Sequence, residues 1–339
     1  MELSTNDPPI LDRIQELISL MGGSPESYEG ELVTQLVQTS LKMLDKKVDL
    51  GELKLITRAL KEMRYAYLTF GKYKEMRRVS IFGSARTAEN HPDYLVALHF
   101  SKIMSDAGWM CMTGGANGIM KAGLEGAHPD NRFGLTIRLP FETVANPHIE
   151  KDPKLVVFRY FFTRKLMFAS HSDAFAAFPG GYGTMDELFE VLTLMQTGKS
   201  EIAPLVLVEG ADRTYWKEWE RYIDDHLLKN GWISADDKNL YYVAKTAEEA
   251  AEHILHFYST YHSSRYVKEF FVIRLRQPLS QKKLDDLNNR YSDIIEEGKI
   301  EPSEPFPEES DYLENPRIAF KHTRNHFGRL RMLIDDINK

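Results

Sequence analysis

A glycine-rich segment near the middle of the chain carries the strongest chemical signal in the sequence. Residues 178–187 read FPGGYGTMDE, between an apolar run and a helical stretch. Gly180, Gly181 and Gly183 let backbone N–H groups approach a ligand without an intervening Cβ, and Thr184 is expected to cap the helix. Because N–H groups at a helix N-terminus bind phosphate, the segment predicts a phosphate site at the carboxyl end of a strand. A purely structural strand-to-helix turn is the alternative.

Two further turns follow apolar runs in the same way. Residues 79–86 read VSIFGSAR and residues 112–120 read MTGGANGIM. Neither contains the dinucleotide fingerprint GxGxxG or the P-loop GxxxxGK[ST], which disfavours a nicotinamide dehydrogenase or an ATPase. Each turn alone also fits a structural role, but on strands of one sheet all three could converge on one ligand. The candidate contacts in these two turns are Gly83, Ser84, Gly114, Gly115, Gly118 and Met120.

Charged residues flank the glycine-rich segment. Arg164 and Lys165 stand at the expected start of a helix, where cations oppose the helix dipole unless an anion is nearby; a solvated basic pair is the alternative. Asp186 and Glu187 suit the dipole of the next helix, but a carboxylate beside a phosphate site could also stabilise a sugar cation or activate water. Glu142 follows another apolar run and is a weaker candidate, since a lone loop glutamate is often simply solvated.

Several other chemistries lack their signatures. The 11 histidines form no HExxH pattern, so we predict no metal site and no cofactor. There is no GxSxG nucleophile motif. The single cysteine, Cys111, lies within an apolar run, which disfavours a catalytic thiol and excludes an intramolecular disulfide.

The composition is that of an ordinary globular protein. The chain has 339 residues, 42% of them hydrophobic, and a net charge of −7. Because phosphate contacts need clustered cations, this acidic balance disfavours nucleic acid as a partner. No apolar run reaches the length of a membrane span, and the N-terminus lacks a secretory pattern, so we expect a cytoplasmic protein that does not bind membranes.

The hydrophobic pattern divides the chain into three predicted regions. Residues 1–76 have helical periodicity over 10–21, 32–44 and 51–73, with a break at 22–25. Residues 77–262 alternate short apolar runs with amphipathic helices, which predicts an α/β fold with a doubly wound parallel sheet. Residues 263–339 predict a small α+β appendage.

Each predicted element can be stated by its range. The strands of the middle region are expected at 79–82, 109–113, 133–139, 155–158, 174–178, 205–208 and 241–243. Its helices are expected at 93–106, 119–127, 164–171, 185–197, 215–229 and 247–261. In the appendage we expect strands at 267–275 and 317–321, helices at 281–295 and 327–337, and a loop at 301–316.

Together these motifs resemble the LONELY GUY (LOG) family, whose members are often mislabelled as lysine decarboxylases. The resemblance is carried by the Arg164-Lys165 pair, the run PGGYGT at 179–184 and its continuation MDELFE at 185–190. The turns at 83–84 and 113–120 match in order and spacing, and the similarity covers about residues 77–262. It implies a Rossmann-like fold and a homodimer or higher homo-oligomer with the site near the subunit interface.

The resemblance also implies an activity and residue roles. Members cleave the N-glycosidic bond of a nucleoside 5′-monophosphate to free base and ribose 5-phosphate, acting on cytokinin riboside monophosphates, AMP or several monophosphates. Arg164 and Glu187 match the catalytic pair. The positions that match substrate-binding residues are Glu142, Lys165, Thr193 and the loop from Gly181 to Glu187, including Tyr182 and Asp186.

Two departures from the plant enzymes favour a general nucleotide role over cytokinin specificity. Asp186 replaces the first of two glutamates, and the terminal regions exceed the short plant enzymes. A non-catalytic carrier or sensor of a nucleotide or of molybdenum cofactor remains an alternative, because a phosphate site binds without catalysing. A pyridoxal-phosphate decarboxylase would need a Schiff-base lysine, for which Lys165 is the only candidate beside the motif. A DNA-processing role is the least favoured alternative, because the net charge of the chain is −7.

Overall fold

A computed structural model describes residues 6–45, 48–139, 145–210 and 214–339 of the chain. By its contacts the chain divides into two compact units, residues 1–64 and 65–339. The division falls within a helix, and the boundaries expected from the sequence after residues 76 and 262 stay predictions.

The first unit is helical, as the sequence predicts. Its helices are α1 (Pro8–Leu20), α2 (Tyr28–Asp45) and the first part of α3 (Leu50–Phe70). The predicted break separates α1 from α2, and Gly22 there has a φ of +83°, which favours glycine. Asp49 starts α3 with a capping box: its carboxylate accepts from the Glu52 backbone N–H at 3.0 Å, while the Glu52 carboxylate accepts from the Asp49 N–H at 3.1 Å.

The second unit is built on a parallel sheet of seven strands with flanking helices, a Rossmann-like α/β fold. All seven strands that the sequence predicts are present, with ends shifted by at most two residues. The strands are β1 (Arg78–Phe82), β2 (Met110–Thr113), β3 (Arg132–Ile137), β4 (Leu155–Phe158), β5 (Ala174–Ala177), β6 (Leu205–Leu207) and β7 (Tyr242–Val243). β1, β2, β5 and β6 are buried along their whole length, which explains their continuous apolar runs.

The order of the strands locates the place where a ligand can bind. The sheet runs β4-β3-β2-β1-β5-β6-β7, so the order reverses between β1 and β5. The pairing is parallel, with Ile81 opposite Ala176 and Phe82 opposite Ala177. The loops after these two neighbouring strands therefore leave in opposite directions and open a crevice at their carboxyl ends.

Helices connect these strands. They are α4 (Pro92–Asp106), α5 (Ile119–Gly126), α6 (Phe161–His171), α7 (Tyr182–Gln196), α8 (Tyr215–Tyr222) and α9 (Ala247–Phe257). The helix predicted at 215–229 is interrupted, because α8 continues as a π-helical turn over Ile223–Leu228. The helix predicted at 247–261 ends four residues early, because Tyr261 already belongs to a strand.

The C-terminal residues form a second, antiparallel sheet beside the first. Its strands are β8 (Tyr261–Val267), β9 (Phe270–Leu275), β10 (Ile295–Pro302) and β11 (Arg317–His322), in the order β10-β11-β9-β8. Its helices are α10 (Gln281–Arg290) and α11 (Phe327–Ile337). The α+β prediction is confirmed, but the strand expected at 267–275 is a hairpin, turning at Lys268 with a φ of +53°.

Two further ranges differ from the sequence prediction. The helix expected at 281–295 stops at Arg290, and residue 295 begins β10. β10 is an edge strand, and its charged sequence IEEGKIEP does not have the apolar pattern by which strands are predicted. The loop expected at 301–316 starts after Pro302, and Glu309 anchors it. Its buried carboxylate lies 2.6 Å from Arg274 Nη2 and 2.7 Å from Arg317 Nη1.

Within the described residues, no helix has the length and apolar character needed to cross a membrane.

Candidate functional site

A cavity lies at the carboxyl ends of β1 and β5, where the strand order reverses. It has a volume of about 790 Å³, in the range of small-molecule sites. Eleven of the residues singled out in the sequence line it: Gly83, Ser84, Gly114, Met120, Arg164, Gly180, Gly181, Tyr182, Gly183, Thr184 and Glu187. The three glycine-containing turns therefore meet at one cavity.

Other singled-out residues lie off this cavity. Gly115, Gly118, Lys165, Asp186 and Thr193 are not among the residues that line it. Gly118 is nevertheless required by the turn, because it has a φ of +61° and a Cβ there would lie 2.2 Å from the Ser84 carbonyl oxygen. Thr193 is exposed on α7, beyond the residues that face the cavity. Glu142 lies outside the described residues.

Backbone hydrogen bonds of Ser84 tie the three turns together. Its N–H donates to the Pro179 carbonyl at 3.1 Å, and its carbonyl accepts from the Ile119 N–H at 3.0 Å. The first bond joins the turn after β1 to the glycine turn, and the second joins it to the start of α5. The geometry of the glycine turn is therefore set by long-range contacts as well as by its own residues.

The glycine turn leaves open space above the start of α7. A Cβ on Gly181 or Gly183 would meet no atom within 4 Å, whereas one on Gly180 would lie 2.1 Å from Thr184 Oγ1. The expectation that Thr184 caps the helix is wrong. α7 begins at Tyr182, Gly181 occupies the cap position, and no side chain caps this end. The extended backbone of Gly181 starts the helix earlier than the sequence indicates, which leaves its N-terminal N–H groups for a ligand.

Glu187 and Arg164 face each other at the cavity. Glu187 Oε1 lies 3.6 Å from Arg164 Nη2, close enough for charge attraction but too long for a hydrogen bond. The Glu187 side chain is 7% exposed and that of Arg164 is 13% exposed. Among the described residues, the buried Nε of Arg164 has no hydrogen-bond partner. Both groups therefore retain hydrogen-bonding capacity for a ligand.

Burial controls the ionisation of this pair. It raises the pKa of Glu187 to about 7, although the charges of Arg164 and Lys165 act in the opposite direction. Burial also lowers the pKa of the Arg164 guanidinium, against the effect of Glu187. Arginine remains charged at neutral pH even so. Glu187 can therefore exchange a proton near neutrality, which suits a catalytic carboxyl group.

Lys165 forms ion pairs with two carboxylates of α7. Its Nζ lies 2.8 Å from Asp186 Oδ1 and 2.8 Å from Glu190 Oε2. Burial alone would lower the pKa of Lys165, but the hydrogen bonds to these two carboxylates raise it overall. The lysine thus joins α6 to α7 and orients the helix that carries Glu187.

Sequence reasoning missed several residues of the cavity. Arg86 lines it from the loop after β1, and an apolar wall includes Phe82, Phe161, Phe168 and Ile137. Phe161 and Phe168 also lie 5.2 Å and 5.8 Å from the Arg164 guanidinium carbon, measured to their ring centres. The SAR triplet after β1 could have indicated Arg86. The aromatic residues gave no signal beyond that of a buried core. The described residues contain no group of three or more His, Cys, Asp or Glu side chains placed to hold a metal ion.

Comparison with known proteins finds partial matches to this domain. Residues 112–254 match the family model described as a possible lysine decarboxylase. The relatives include the Arabidopsis thaliana cytokinin riboside 5′-monophosphate phosphoribohydrolase LOG4, 39% identical over 102 residues. This segment is similar to the LONELY GUY enzymes, and the family model covers less than half of the chain. The alignment with LOG4 covers 30% of this chain and 45% of the relative, so the chain matches less than half of that enzyme.

A longer alignment is found with a second relative. A probable cytokinin riboside 5′-monophosphate phosphoribohydrolase of Oryza sativa subsp. japonica is 28% identical over 181 residues, covering 51% of this chain and 74% of the relative. Among solved structures, the molybdenum cofactor carrier protein of Chlamydomonas reinhardtii aligns with 53% of this chain and 96% of its own at a TM-score of 0.38 and 20% identity. Likeness at that level carries no functional information.

Proposed function

We propose that this protein is a nucleoside 5′-monophosphate phosphoribohydrolase, which uses water to split the N-glycosidic bond into free base and ribose 5-phosphate. The observation that carries the proposal is the buried Glu187–Arg164 pair, 3.6 Å apart, in a cavity bordered by the glycine turn. The names of the LOG relatives, which describe phosphoribohydrolases of a riboside 5′-monophosphate, agree with it.

The phosphate end of the substrate is assigned to the glycine turn. The open space over Gly181 and Gly183 and the uncapped start of α7 offer N–H groups and the positive end of a helix dipole. A phosphate held there fixes the sugar at a set distance from Glu187. Restricting the reacting carbon in this way supplies part of the rate enhancement.

Glu187 is assigned to the reacting carbon. The bond from C1′ to the base nitrogen breaks with its electron pair moving to the base, and the sugar becomes an oxocarbenium-like cation. The carboxylate of Glu187 stabilises this cation and accepts a proton from the water that adds to C1′. The departing base takes up a proton from solvent and Glu187 later releases its own, so the reaction consumes one water.

Arg164 is assigned to the sugar. Its guanidinium keeps Glu187 oriented, and its unpartnered buried Nε and remaining donors can bind sugar hydroxyl groups. The apolar wall formed by Phe82, Phe161 and Phe168 suits the planar base. Aromatic rings can stack on any of the bases, so we expect activity on several monophosphates.

A base-release assay tests the proposed reaction. The purified protein would be incubated with AMP, GMP, CMP, UMP, IMP and isopentenyladenosine monophosphate, and the products separated by chromatography. The proposal expects free base and ribose 5-phosphate in equal amounts from more than one ordinary monophosphate. Release from the isopentenyl substrate alone would narrow the activity to cytokinin activation. Nucleotide binding without base release from any of them would overturn the hydrolase proposal and favour a carrier or sensor.

A further inference from the structure

The charges that line the cavity do not balance a nucleotide phosphate. In the described part of the chain, the charged side chains of the lining belong to Arg86, Arg164 and Glu187. The charge of Arg164 is matched by Glu187 at 3.6 Å. Lys165 is engaged by Asp186 and Glu190 and lies off the lining. Among the described residues, Arg86 is thus the lining cation without an acidic partner. A phosphate monoester carries close to two negative charges at neutral pH.

The backbone holds Arg86 next to the glycine turn. Its N–H donates to Ser84 Oγ at 3.1 Å, and the Ser84 N–H in turn donates to the carbonyl of Pro179 at 3.1 Å. Arg86 thus follows by two positions Ser84, whose backbone N–H contacts the start of the glycine turn. Its side chain is exposed and makes no ion pair or hydrogen bond with the described residues. It is therefore free to reach an anion without breaking an existing contact.

We propose that Arg86 binds the 5′-phosphate of the substrate beside the glycine turn. This assignment rests on the proposed function, and it names the group that lets the site prefer a nucleotide to a nucleoside. The N–H groups of the glycine turn supply hydrogen bonds and partial charge, and Arg86 supplies a full positive charge with a planar pair of donors. Arg86 is a binding residue, and it leaves the bond cleavage to Glu187.

Binding of ribose 5-phosphate tests the assignment directly. This compound carries the sugar and the phosphate but has no glycosidic bond to a base, so the full-length protein cannot turn it over by the proposed reaction. Its affinity would be measured by calorimetry for the wild type, Arg86→Gln and Arg86→Lys, with adenosine as the phosphate-free probe. Arg138→Gln is the matched control, because Arg138 is exposed, follows β3 between two lining residues and does not itself line the cavity.

We expect the loss of a positive charge to weaken phosphate binding when the charge lines the cavity, but not when it lies on the surface nearby. Arg86→Gln should weaken ribose 5-phosphate binding about 10- to 100-fold, the usual range for a charged hydrogen bond, with adenosine binding unchanged. Arg86→Lys should recover part of the affinity, and Arg138→Gln should match the wild type. Equal affinity of Arg86→Gln and wild type for ribose 5-phosphate, or an equal loss for Arg138→Gln, would overturn the assignment.

The two proposals can fail separately. Base release by the wild type with an unchanged KM for AMP in Arg86→Gln would overturn the role of Arg86 and leave the hydrolase proposal standing. Absence of base release, with ribose 5-phosphate binding that depends on Arg86, would overturn the hydrolase proposal and support the phosphate contact. Absence of ribose 5-phosphate binding by the wild type would overturn the role of Arg86.

Discussion

The protonation of Glu187 should make the activity of the protein depend on pH. Burial raises its pKa to about 7, and the proposed reaction needs the carboxylate form. Activity should therefore be present above about pH 7 and fall as the pH decreases through that value, because protonation removes the charge that stabilises the sugar cation. The dependence of kcat/KM for AMP on pH measures this. A rate that stays constant down to the ordinary range of glutamate, near pH 4.5, would contradict it.

A variant of Lys165 distinguishes Glu187 from the substrate phosphate, which also titrates near pH 6. The charge of Lys165 lowers the pKa of Glu187. In Lys165→Met, the loss of kcat/KM on the acid side should therefore occur at a higher pH than in the wild type. The phosphate of AMP would titrate as before in this variant. Lys229→Met, which alters an exposed lysine, is the control and should leave that pH unchanged.

At the scale of elements, the glycine turn is the part of the site that packing constrains most. A Cβ on Gly180 would lie 2.1 Å from Thr184 Oγ1 and 2.9 Å from the backbone nitrogen of Ser84, so Gly180→Ala must displace the start of α7. We expect a loss of about 1–3 kcal/mol in the free energy of unfolding, as for other overpacked sites. Chemical denaturation measures this loss.

Gly183→Ala is the matched control for that prediction. A Cβ at Gly183 meets no atom within 4 Å, and the residue lies in the first turn of α7 with no positive φ. Alanine there should stabilise the protein by about 0.4–1 kcal/mol, because it reduces the entropy of the unfolded chain. Equal destabilisation by the two alanines would show that the close contact at Gly180 does not set the turn.

The elements differ in how far the sequence could predict them. The buried strands β1, β2, β5 and β6 were predictable because strands covered on both faces need continuous apolar runs. β8 was missed because its buried residues, Tyr261, Ser264 and Val267, recur every third position and not every second. β10 was missed because it is a charged edge strand, formed by pairing with β11 across long sequence separation.

The site shows the same division between local and long-range information. The glycine turn was predictable because it stands at an element boundary that the sequence marks. Arg164 and Glu187 were predictable because they lie in the first two turns of the helices that follow β4 and β5. The cap of α7 was predicted wrongly, because the preference of threonine for cap positions is local. The backbone just before Gly181 is instead fixed by a contact between distant turns, the bond from the Ser84 N–H to the Pro179 carbonyl. The aromatic wall enters the site through tertiary packing, which has no spacing signal.

At the scale of the second unit, the C-terminal sheet is fastened to the domain that carries the site. Arg331 of α11 is 2% exposed and donates to the Ala203 carbonyl at 3.3 Å and to His253 Nε2 at 2.9 Å. Burial lowers the pKa of His253 to about 4, so the ring is neutral and can accept this bond. The ring of Phe327 lies over Gly198, just beyond the end of α7, where a Cβ would be 2.1 Å from the ring. The appendage therefore supports the helix that carries Glu187.

Asn338 offers a test of this connection. Its Oδ1 accepts from the backbone N–H groups of Thr260 and Tyr261, each at 2.9 Å, and its Nδ2 donates to the Phe257 carbonyl at 2.7 Å. Asn338→Ala should reduce the free energy of unfolding by about 1–3 kcal/mol for each buried N–H left without an acceptor. Denaturation with a fluorescence readout measures the loss. Asn325→Ala, at an exposed turn, should change stability little, and equal stability of both variants would contradict the role of Asn338.

The most direct test of the central claim is a paired measurement of AMP binding and adenine release in Glu187→Gln. The amide has nearly the same shape but cannot carry the negative charge or accept the proton. We predict that the variant binds AMP within a few-fold of the wild type but releases adenine about 10²–10⁴-fold more slowly. Glu252→Gln, which alters an exposed acid on α9 off the cavity lining, should release adenine at close to the wild-type rate. Adenine release by Glu187→Gln at the wild-type rate would contradict the account.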